Sequence, residues 1–154
     1  MKLFAALLPI YFFISCTTSF QDRQIKNIPG EWEVYSITTL NADFSENGFD
    51  PLEPATEETG DLGFFEFTQS SVNYSFVRKD SLYSGNGIYS IDLNKTSTKI
   101  IYSISEDILL LPPDERPHDL IFNSENGEVI MLLTSYPQTA GVGESYTLYL
   151  RKVK

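Results

Sequence analysis

Cysteine and histidine are almost missing from this chain of 154 residues, which has one of each, Cys16 and His118. A single cysteine excludes an internal disulfide and any metal site built from several thiolates, and a single histidine excludes a two-histidine zinc motif. Positive charge is also scarce, because 11 Lys and Arg stand against 21 Asp and Glu, for a formal net charge of −10. Phosphate binding needs clustered basic side chains, so we expect no nucleic-acid partner. We also expect no metal and no cofactor.

Long apolar runs are missing except near the amino end, where Leu3–Ile14 is apolar apart from Pro9. This run follows Lys2 and is too short to cross a bilayer, but it has the length of a secretory signal sequence. It ends at Ser15 and Cys16, and a small residue before a lone cysteine resembles the lipobox of bacterial lipoproteins. The resemblance implies that residues 1–15 are a signal peptide and that an acylated Cys16 anchors the protein to a membrane.

Two other interpretations of this segment are a cleaved signal peptide with a chance cysteine and a buried amino-terminal helix. The polar residues 16–28 would form a tether between the anchor and a folded domain. Thr17, Thr18 and Ser19 follow the cysteine, with neither an inner-membrane retention aspartate nor an acidic run like the surface-export signal of Bacteroidota lipoproteins. By resemblance we therefore expect the periplasmic face of the outer membrane.

The remaining sequence shows no sustained helical spacing of apolar residues. Short runs rich in β-branched and aromatic residues recur instead, separated by Gly, Asn, Asp, Ser and Pro, and they predict an all-β, antiparallel fold of about eight strands. The predicted strands are Trp32–Leu40, Gly63–Gln69, Val72–Lys79, Gly87–Leu93, Lys99–Ser105, Asp119–Asn123, Glu128–Ser135 and Ser145–Lys152. Asn126-Gly127 predicts a tight hairpin turn. The pattern favours a barrel or a sandwich.

Three segments interrupt this rhythm and are expected to be loops: residues 41–62, 111–118 and 136–144. The first is acidic, with no Lys or Arg. Its carboxylates are either a solvated surface or a calcium site, although their spacing matches no EF-hand. Long loops on a β scaffold often carry binding sites.

The first predicted strand opens with Gly30-Glu31-Trp32-Glu33-Val34. This G-x-W-x-V pattern resembles the start of lipocalin-like domains, and residues 29–154 resemble the small lipocalin-like lipoproteins of Bacteroidota. The resemblance implies a small antiparallel β-barrel of about eight strands, in which Trp32 closes one end and a basic side chain from the last strand packs on the indole. Arg151 matches that position, so Trp32 and Arg151 form the predicted barrel-closing pair.

Apolar stripes run along several predicted strands, and they admit two interpretations. The stripes either line a cavity for a small ligand or fill a dry core, because small eight-stranded barrels do both. A filled barrel with an exposed aromatic patch near Phe49 or Tyr136 would favour a protein-interaction or scaffold role over ligand binding. The candidate lining residues are Val72, Tyr74, Phe76, Ile100, Tyr102 and Tyr146.

Catalytic motifs are weak in this sequence. His118 next to Asp119 is a conceivable general base, but the chain has no G-x-S-x-G nucleophile elbow. Carboxylate pairs for glycoside hydrolysis are recognised only by their separation in space. We therefore expect a non-enzymatic lipoprotein that binds a small apolar or amphipathic ligand. The alternative is a protein-interaction or envelope-scaffold lipoprotein with a filled barrel, whose protein partner the sequence does not name.

Overall fold

The computed structural model describes residues 20–45, 48–93, 98–104, 114–137 and 140–153. The predicted signal peptide and Cys16 lie outside these residues. The described chain forms one short helix and ten strands. They are α1 (Phe20–Ile25), β1 (Gly30–Ser45), β2 (Gly48–Pro51), β3 (Thr56–Phe67), β4 (Ser71–Arg78), β5 (Ser81–Ile88), β6 (Ser90–Leu93), β7 (Thr98–Ile104), β8 (Asp114–Glu125), β9 (Glu128–Ser135) and β10 (Gly141–Lys152).

All ten strands belong to one antiparallel sheet, which confirms the predicted fold class at that level. The strand order is β5-β4-β3-β1-β10-β9-β8-β7-β6, with β2 as an additional hairpin partner of β1. The sheet curls into a half-barrel. The first and last strands pair along most of their length, from Trp32 opposite Lys152 to Phe44 opposite Gly141. The first and last strands in chain order are therefore direct neighbours in the sheet.

The two ends of this strand path are separated by only one residue, Tyr89. β5 pairs with β4 as far as Ile88, and β6 pairs with β7 from Ser90 onward. The predicted strand Gly87–Leu93 spans this junction, and the sequence did not predict residues 81–86 of β5, where serines and Gly85 interrupt the apolar pattern. Tyr89 is thus the single residue that interrupts the chain between β5 and β6, the two end strands of the path.

The acidic segment 41–62 is not the long loop that the sequence predicted. β1 continues to Ser45, β2 forms a hairpin with it, and β3 begins at Thr56. Backbone hydrogen bonds to neighbouring strands form these strands, and their carboxylates point away from the core. The segment therefore lacks the apolar alternation by which a strand is recognised in a sequence. The two other predicted loops are also shorter than expected, because β8 begins at Asp114 and β10 at Gly141.

Alternation along the strands builds the core, as the sequence predicted. Val72, Tyr74 and Phe76 of β4 are each at most 2% exposed. Phe65 of β3 stacks on both aromatic rings of this row, with centroids 5.2 Å from Tyr74 and 5.7 Å from Phe76. Offset aromatic stacking adds stability to simple burial. Asn126-Gly127 forms the predicted turn between β8 and β9, and both residues have positive φ.

A β-bulge in β1 changes which side chains face the core. The register of β1 with both neighbours shifts between Val34 and Ser36. Tyr35 is the extra residue relative to β10, whereas β3 has three residues, Gly60 to Leu62, opposite it. Before the bulge Trp32 and Val34 face inward. After it the inward positions are odd-numbered, beginning with Ile37, and Thr38 turns to the outer face.

Candidate functional site

The Trp32 end of the half-barrel is closed by a basic side chain from the last strand. Trp32 is 1% exposed, and its indole Nε1 donates a hydrogen bond of 2.7 Å to the carbonyl of Ile28. The ammonium of Lys152 lies 5.4 Å from the indole centroid. Its Nζ also donates to the carbonyls of Asn27, at 2.6 Å, and Pro29, at 3.0 Å. Lys152 therefore covers the indole and binds the backbone just before β1.

Arg151 does not form the pair with Trp32 that the sequence predicted. It lies opposite Glu33 in the ladder and donates to that carboxylate from Nε, at 3.0 Å, and from Nη2, at 2.9 Å. Its guanidinium also lies 5.5 Å from the ring of Tyr35. The prediction was wrong by one residue, because alternation places Arg151 with Glu33 on the outer face and leaves Lys152 beside Trp32. The hydrogen bond from Arg151 lowers the pKa of Glu33.

Five of the six candidate lining residues lie in one buried core cluster. Val72, Tyr74, Phe76 and Ile100 are at most 2% exposed, and Tyr146 is 7% exposed. The side chain of Tyr102 lies outside what the structure describes. The geometry shows that these side chains pack as core. Their role in lining a ligand cavity stays a prediction.

A polar cluster occupies the inner face beyond the aromatic row, centred on Arg78 at the end of β4. Arg78 is 7% exposed, although it is charged. Its guanidinium carbon lies 4.4 Å from the ring centroid of Tyr146 and 5.2 Å from that of Tyr83. Nη2 donates to the Tyr83 hydroxyl at 3.3 Å, and Nη1 binds the carboxylate of Glu144. Lys79 binds the other oxygen of Glu144, so two cations share one carboxylate.

The ion pair between them holds Arg78 and Glu144 in their charged forms. Partial burial alone raises the pKa of Glu144, but the hydrogen bonds from Lys79 and Arg78 outweigh it, and the net pKa lies below the ordinary value of 4.5. Burial disfavours a charged Arg78, and the hydrogen bond to Glu144 more than compensates, so the pKa of Arg78 is raised. A second carboxylate lies beside this group, because Glu58 accepts a hydrogen bond of 2.9 Å from the backbone N–H of Lys79.

His118 joins this cluster from β8. It is fully buried, and its Nε2 lies 3.3 Å from the hydroxyl oxygen of Tyr146. Its sequence neighbour Asp119 points to the opposite face, as successive strand residues do, where it lies 3.8 Å from Lys99. The adjacency of His118 and Asp119 in sequence therefore does not make them a side-chain pair on one face.

A second feature is a cavity on the outer face of the sheet, which we call the outer groove. Its volume is about 230 Å³. Hydroxyl groups line its floor, where Thr134 and Thr147 hydrogen-bond at 2.9 Å. Apolar side chains contribute its walls, including Phe44 and Phe49, whose ring centroids are 6.1 Å apart. The complete lining is Thr38, Leu40, Phe44, Phe49, Ala55, Thr134, Tyr136, Ser145 and Thr147.

Sequence reasoning identified two residues of the outer groove but not the groove itself. Phe49 and Tyr136, which the sequence singled out as a prospective aromatic patch, are 56% and 47% exposed and both line it. Phe49 is placed there by the β2 hairpin, which pairs it with Phe44, and Tyr136 by its position directly after β9. The β2 hairpin has no sequence signal of its own. Burial raises the pKa of the Tyr136 hydroxyl and the charge of Asp119 adds to this, so the groove keeps a neutral phenol.

The calcium alternative for the acidic segment finds no support in the described part of the chain. There, no group of three or more His, Cys, Asp or Glu side chains is placed to hold a metal ion. Glu46 of that segment lies outside the described residues.

The chain matches no protein-family model, and comparison with curated proteins and with solved structures reveals no significant similarity. Within the described ranges, no helix has the length and apolar character needed to cross a bilayer.

Proposed function

We propose that the protein is an outer-membrane lipoprotein with a lipocalin-like domain that binds a small apolar or amphipathic ligand. Two features of the half-barrel support the lipocalin-like assignment. If β5 and β6 are counted as one strand bent at Tyr89, the strand path becomes a ring of eight, with β2 as an appendage. The buried Trp32 is also covered by a cation of the last strand, Lys152, as the family pattern requires.

The membrane anchor in this proposal rests on the sequence alone. Cys16 follows an apolar signal-like run and is the single cysteine of the chain. Acyl chains on that residue, at about 0.8 kcal/mol per buried CH₂, would hold the domain at the periplasmic face of the outer membrane. The polar residues 17–19 before α1 would separate the domain from the lipid surface.

The outer groove is the observation that carries the ligand-binding proposal. It combines aromatic walls, including Phe44 and Phe49, with a hydroxyl floor at Thr134 and Thr147, which is the mixture found in small-molecule sites. Its volume of about 230 Å³ is below the range of about 300–1,000 Å³ typical of such sites. The ligand is therefore small, or it leaves part of its surface in water.

Native mass spectrometry of the full chain, purified from its own host, tests this proposal. We expect a small-molecule adduct on the wild type. Ala55→Trp adds an indole at an exposed position in the groove lining and should remove the adduct without a core change. Ser70→Trp, at an exposed turn between β3 and β4, is the matched control and should retain it. An adduct that survives Ala55→Trp, or a wild type without one, would contradict the groove as the site.

A second candidate is a non-catalytic protein-interaction or envelope-scaffold role. Phe49 and Tyr136 favour it, because large side chains so exposed and adjacent often mark protein contacts. A photo-crosslinking residue at position 49 should then capture a protein in intact cells. The same residue at Ile121, which is 49% exposed but lies outside the groove lining, should not. The scaffold role is favoured if position 49 captures a protein and the wild type carries no small-molecule adduct in native mass spectrometry.

A further inference from the structure

Two deeply buried polar atoms have no hydrogen-bond partner among the described residues: Nε of Arg78 and Oγ1 of Thr39. Arg78 is 7% exposed and Thr39 is 3% exposed, so bulk water does not satisfy them. A buried donor without an acceptor is costly, and native proteins usually fill such a position with water, an ion or a ligand. The pair therefore needs an occupant.

Both atoms border the same ring, that of Tyr146. Thr39 is the direct ladder partner of Tyr146, and Arg78 places its guanidinium 4.4 Å from the ring centroid. The hydroxyl of Tyr146 lies 3.3 Å from Nε2 of His118, and the hydroxyl of Tyr83 already accepts from Arg78. The unpaired atoms thus belong to one inner-face cluster of polar groups, which we call the Arg78 cluster: Thr39, Arg78, Lys79, Tyr83, His118, Glu144 and Tyr146.

The unpaired donors of the cluster select an acceptor as the occupant, and the fixed charge of Arg78 favours an anionic one. Arg78 and Lys79 share the carboxylate of Glu144, and Glu58 accepts from the backbone N–H of Lys79 at 2.9 Å, so neither carboxylate reaches Nε of Arg78. Nε–H of Arg78 can only donate, and the Thr39 hydroxyl can donate as well. A carboxylate or a phosphate would receive charge-assisted hydrogen bonds from both, which are stronger than those to a neutral acceptor. A cation would find its natural ligand, Glu144, already bound twice.

We propose that the Arg78 cluster binds an oxyanion, a carboxylate or phosphate, either free or as the head group of a small amphipathic molecule. The apolar core row adjoins the cluster through Phe76, which stacks on Tyr83 with centroids 5.3 Å apart. This site is on the inner face of the half-barrel and is independent of the outer groove.

Titration of the full chain in phospholipid nanodiscs tests the proposal with three probes: octanoate, inorganic phosphate and octanol. The readouts are calorimetric heat and the ¹⁵N-edited resonance of the Arg78 Nε–H. We expect that resonance to shift with octanoate, with phosphate or with both, and not with octanol. A response to phosphate indicates a site for the head group alone, and a response to octanoate only indicates an amphipathic ligand. A specific site would have a dissociation constant below about 10 mM. If neither oxyanion gives a response at that concentration, the proposal is overturned.

Variants distinguish oxyanion binding at the Arg78 cluster from nonspecific binding of the probes to other basic side chains. Arg78→Met should weaken oxyanion binding by about tenfold or more, the scale of a lost charge-assisted bond. Arg151→Met removes an exposed arginine on the outer face and should leave the affinity unchanged. If Arg78→Met does not fold, Thr39→Val removes one hydroxyl at nearly constant volume and should still weaken binding measurably. Two results together would show that a buried water fills the position instead. Wild type and Thr39→Val would bind the oxyanion equally, and the Nε–H proton of Arg78 would exchange at the rate expected for a group in contact with water.

The two proposals fail independently. Ala55→Trp blocks the outer groove and should leave oxyanion binding at the Arg78 cluster unchanged. If Ala55→Trp abolishes oxyanion binding, the oxyanion site lies in the groove and the assignment to Arg78 is wrong.

Discussion

Lys152 lies directly opposite Trp32 in the β1–β10 ladder and holds its ammonium 5.4 Å from the indole centroid. The same ammonium binds the carbonyls of Asn27 and Pro29. One side chain thus joins the last strand to the segment that precedes the first, and it covers the only tryptophan of the chain. This contact closes the half-barrel at its apolar end.

Lys152→Met should therefore destabilise the fold, while Arg151→Met should not do so measurably. The Lys152 change removes a cation–π contact and two hydrogen bonds to carbonyls, for an expected loss of about 1–2 kcal/mol in the free energy of unfolding. Arg151 is exposed and its ion pair with Glu33 is screened by solvent. Urea unfolding followed by Trp32 emission measures both. Equal loss in the two variants, or a larger loss for Arg151→Met, would contradict the assignment of Lys152.

Fold class was predictable because alternation is visible wherever one face of a strand is apolar. The rows beginning at Val72 and Tyr146 show this, and both are buried as expected. The extensions of β1 and β3 through the acidic segment were not predictable, since their side chains are exposed and only backbone pairing holds them. A local hydrophobic pattern reports burial and does not report hydrogen bonding between distant segments.

The sites were less predictable because they depend on register. One unpaired residue, Tyr35, reverses the facing of everything after it in β1, and without that reversal Thr38 would face the core instead of the outer groove. Whether Arg151 or Lys152 covers the indole of Trp32 likewise depends on a shift of one position along β10. Arg78 had no distinguishing signal in the sequence, because a terminal arginine on a strand is usually exposed.

The lipid anchor gives a prediction that concerns residues outside the described structure. Cys16→Ala should abolish incorporation of an alkyne-labelled fatty acid, because the thiol is the proposed acylation site. Thr17→Ala, one residue further on, is the matched control and should keep the label. The measurement is in-gel fluorescence after metabolic labelling in the native host. Undiminished label on Cys16→Ala would show that the segment is not a lipobox.

Stability should fall in acid through Glu144. Its pKa is lowered in the folded state, so its contribution is fully present at pH values above the unfolded pKa, about 4.5, and is lost as pH falls through the lower folded pKa. Glu144→Gln should cost about 1 kcal/mol or more at pH 7, a figure reduced for partial solvent screening, and this cost should shrink below pH 4.5. Chemical unfolding of both proteins between pH 3 and pH 7 measures the difference.

Glu33→Gln provides the comparison for Glu144. The pKa of Glu33 is lowered by the hydrogen bond from Arg151, but the pair is exposed on the outer face. Its pH-dependent contribution should have the same sign and a smaller size than that of Glu144. A cost of Glu144→Gln that is constant from pH 3 to pH 7 would mean that the carboxylate is not held by Arg78 and Lys79 in solution.

Gly60 and Gly63 of β3 form a natural pair for separating backbone strain from steric exclusion. Their φ values are nearly the same, +137° and +138°, a region that other residues rarely adopt. A Cβ at Gly60 would have no heavy atom within 4 Å, whereas a Cβ at Gly63 would lie 2.0 Å from the backbone oxygen of Ser75 and 2.5 Å from Cα of Phe76. β4 therefore approaches β3 at Gly63 too closely for any side chain.

Gly60→Ala should accordingly cost only the strain of its backbone conformation, about 1–3 kcal/mol in the free energy of unfolding. Gly63→Ala should cost that amount and at least about 2 kcal/mol more, because the β3–β4 ladder must separate to admit the methyl group. Separation would also disturb the stacking of Phe65 on Tyr74 and Phe76, since all three rings lie beside this contact. Thermal and urea unfolding of the two variants measure the difference. If the two losses are equal, β4 does not pack on Gly63 as closely as described, and the register of β3 with β4 is wrong.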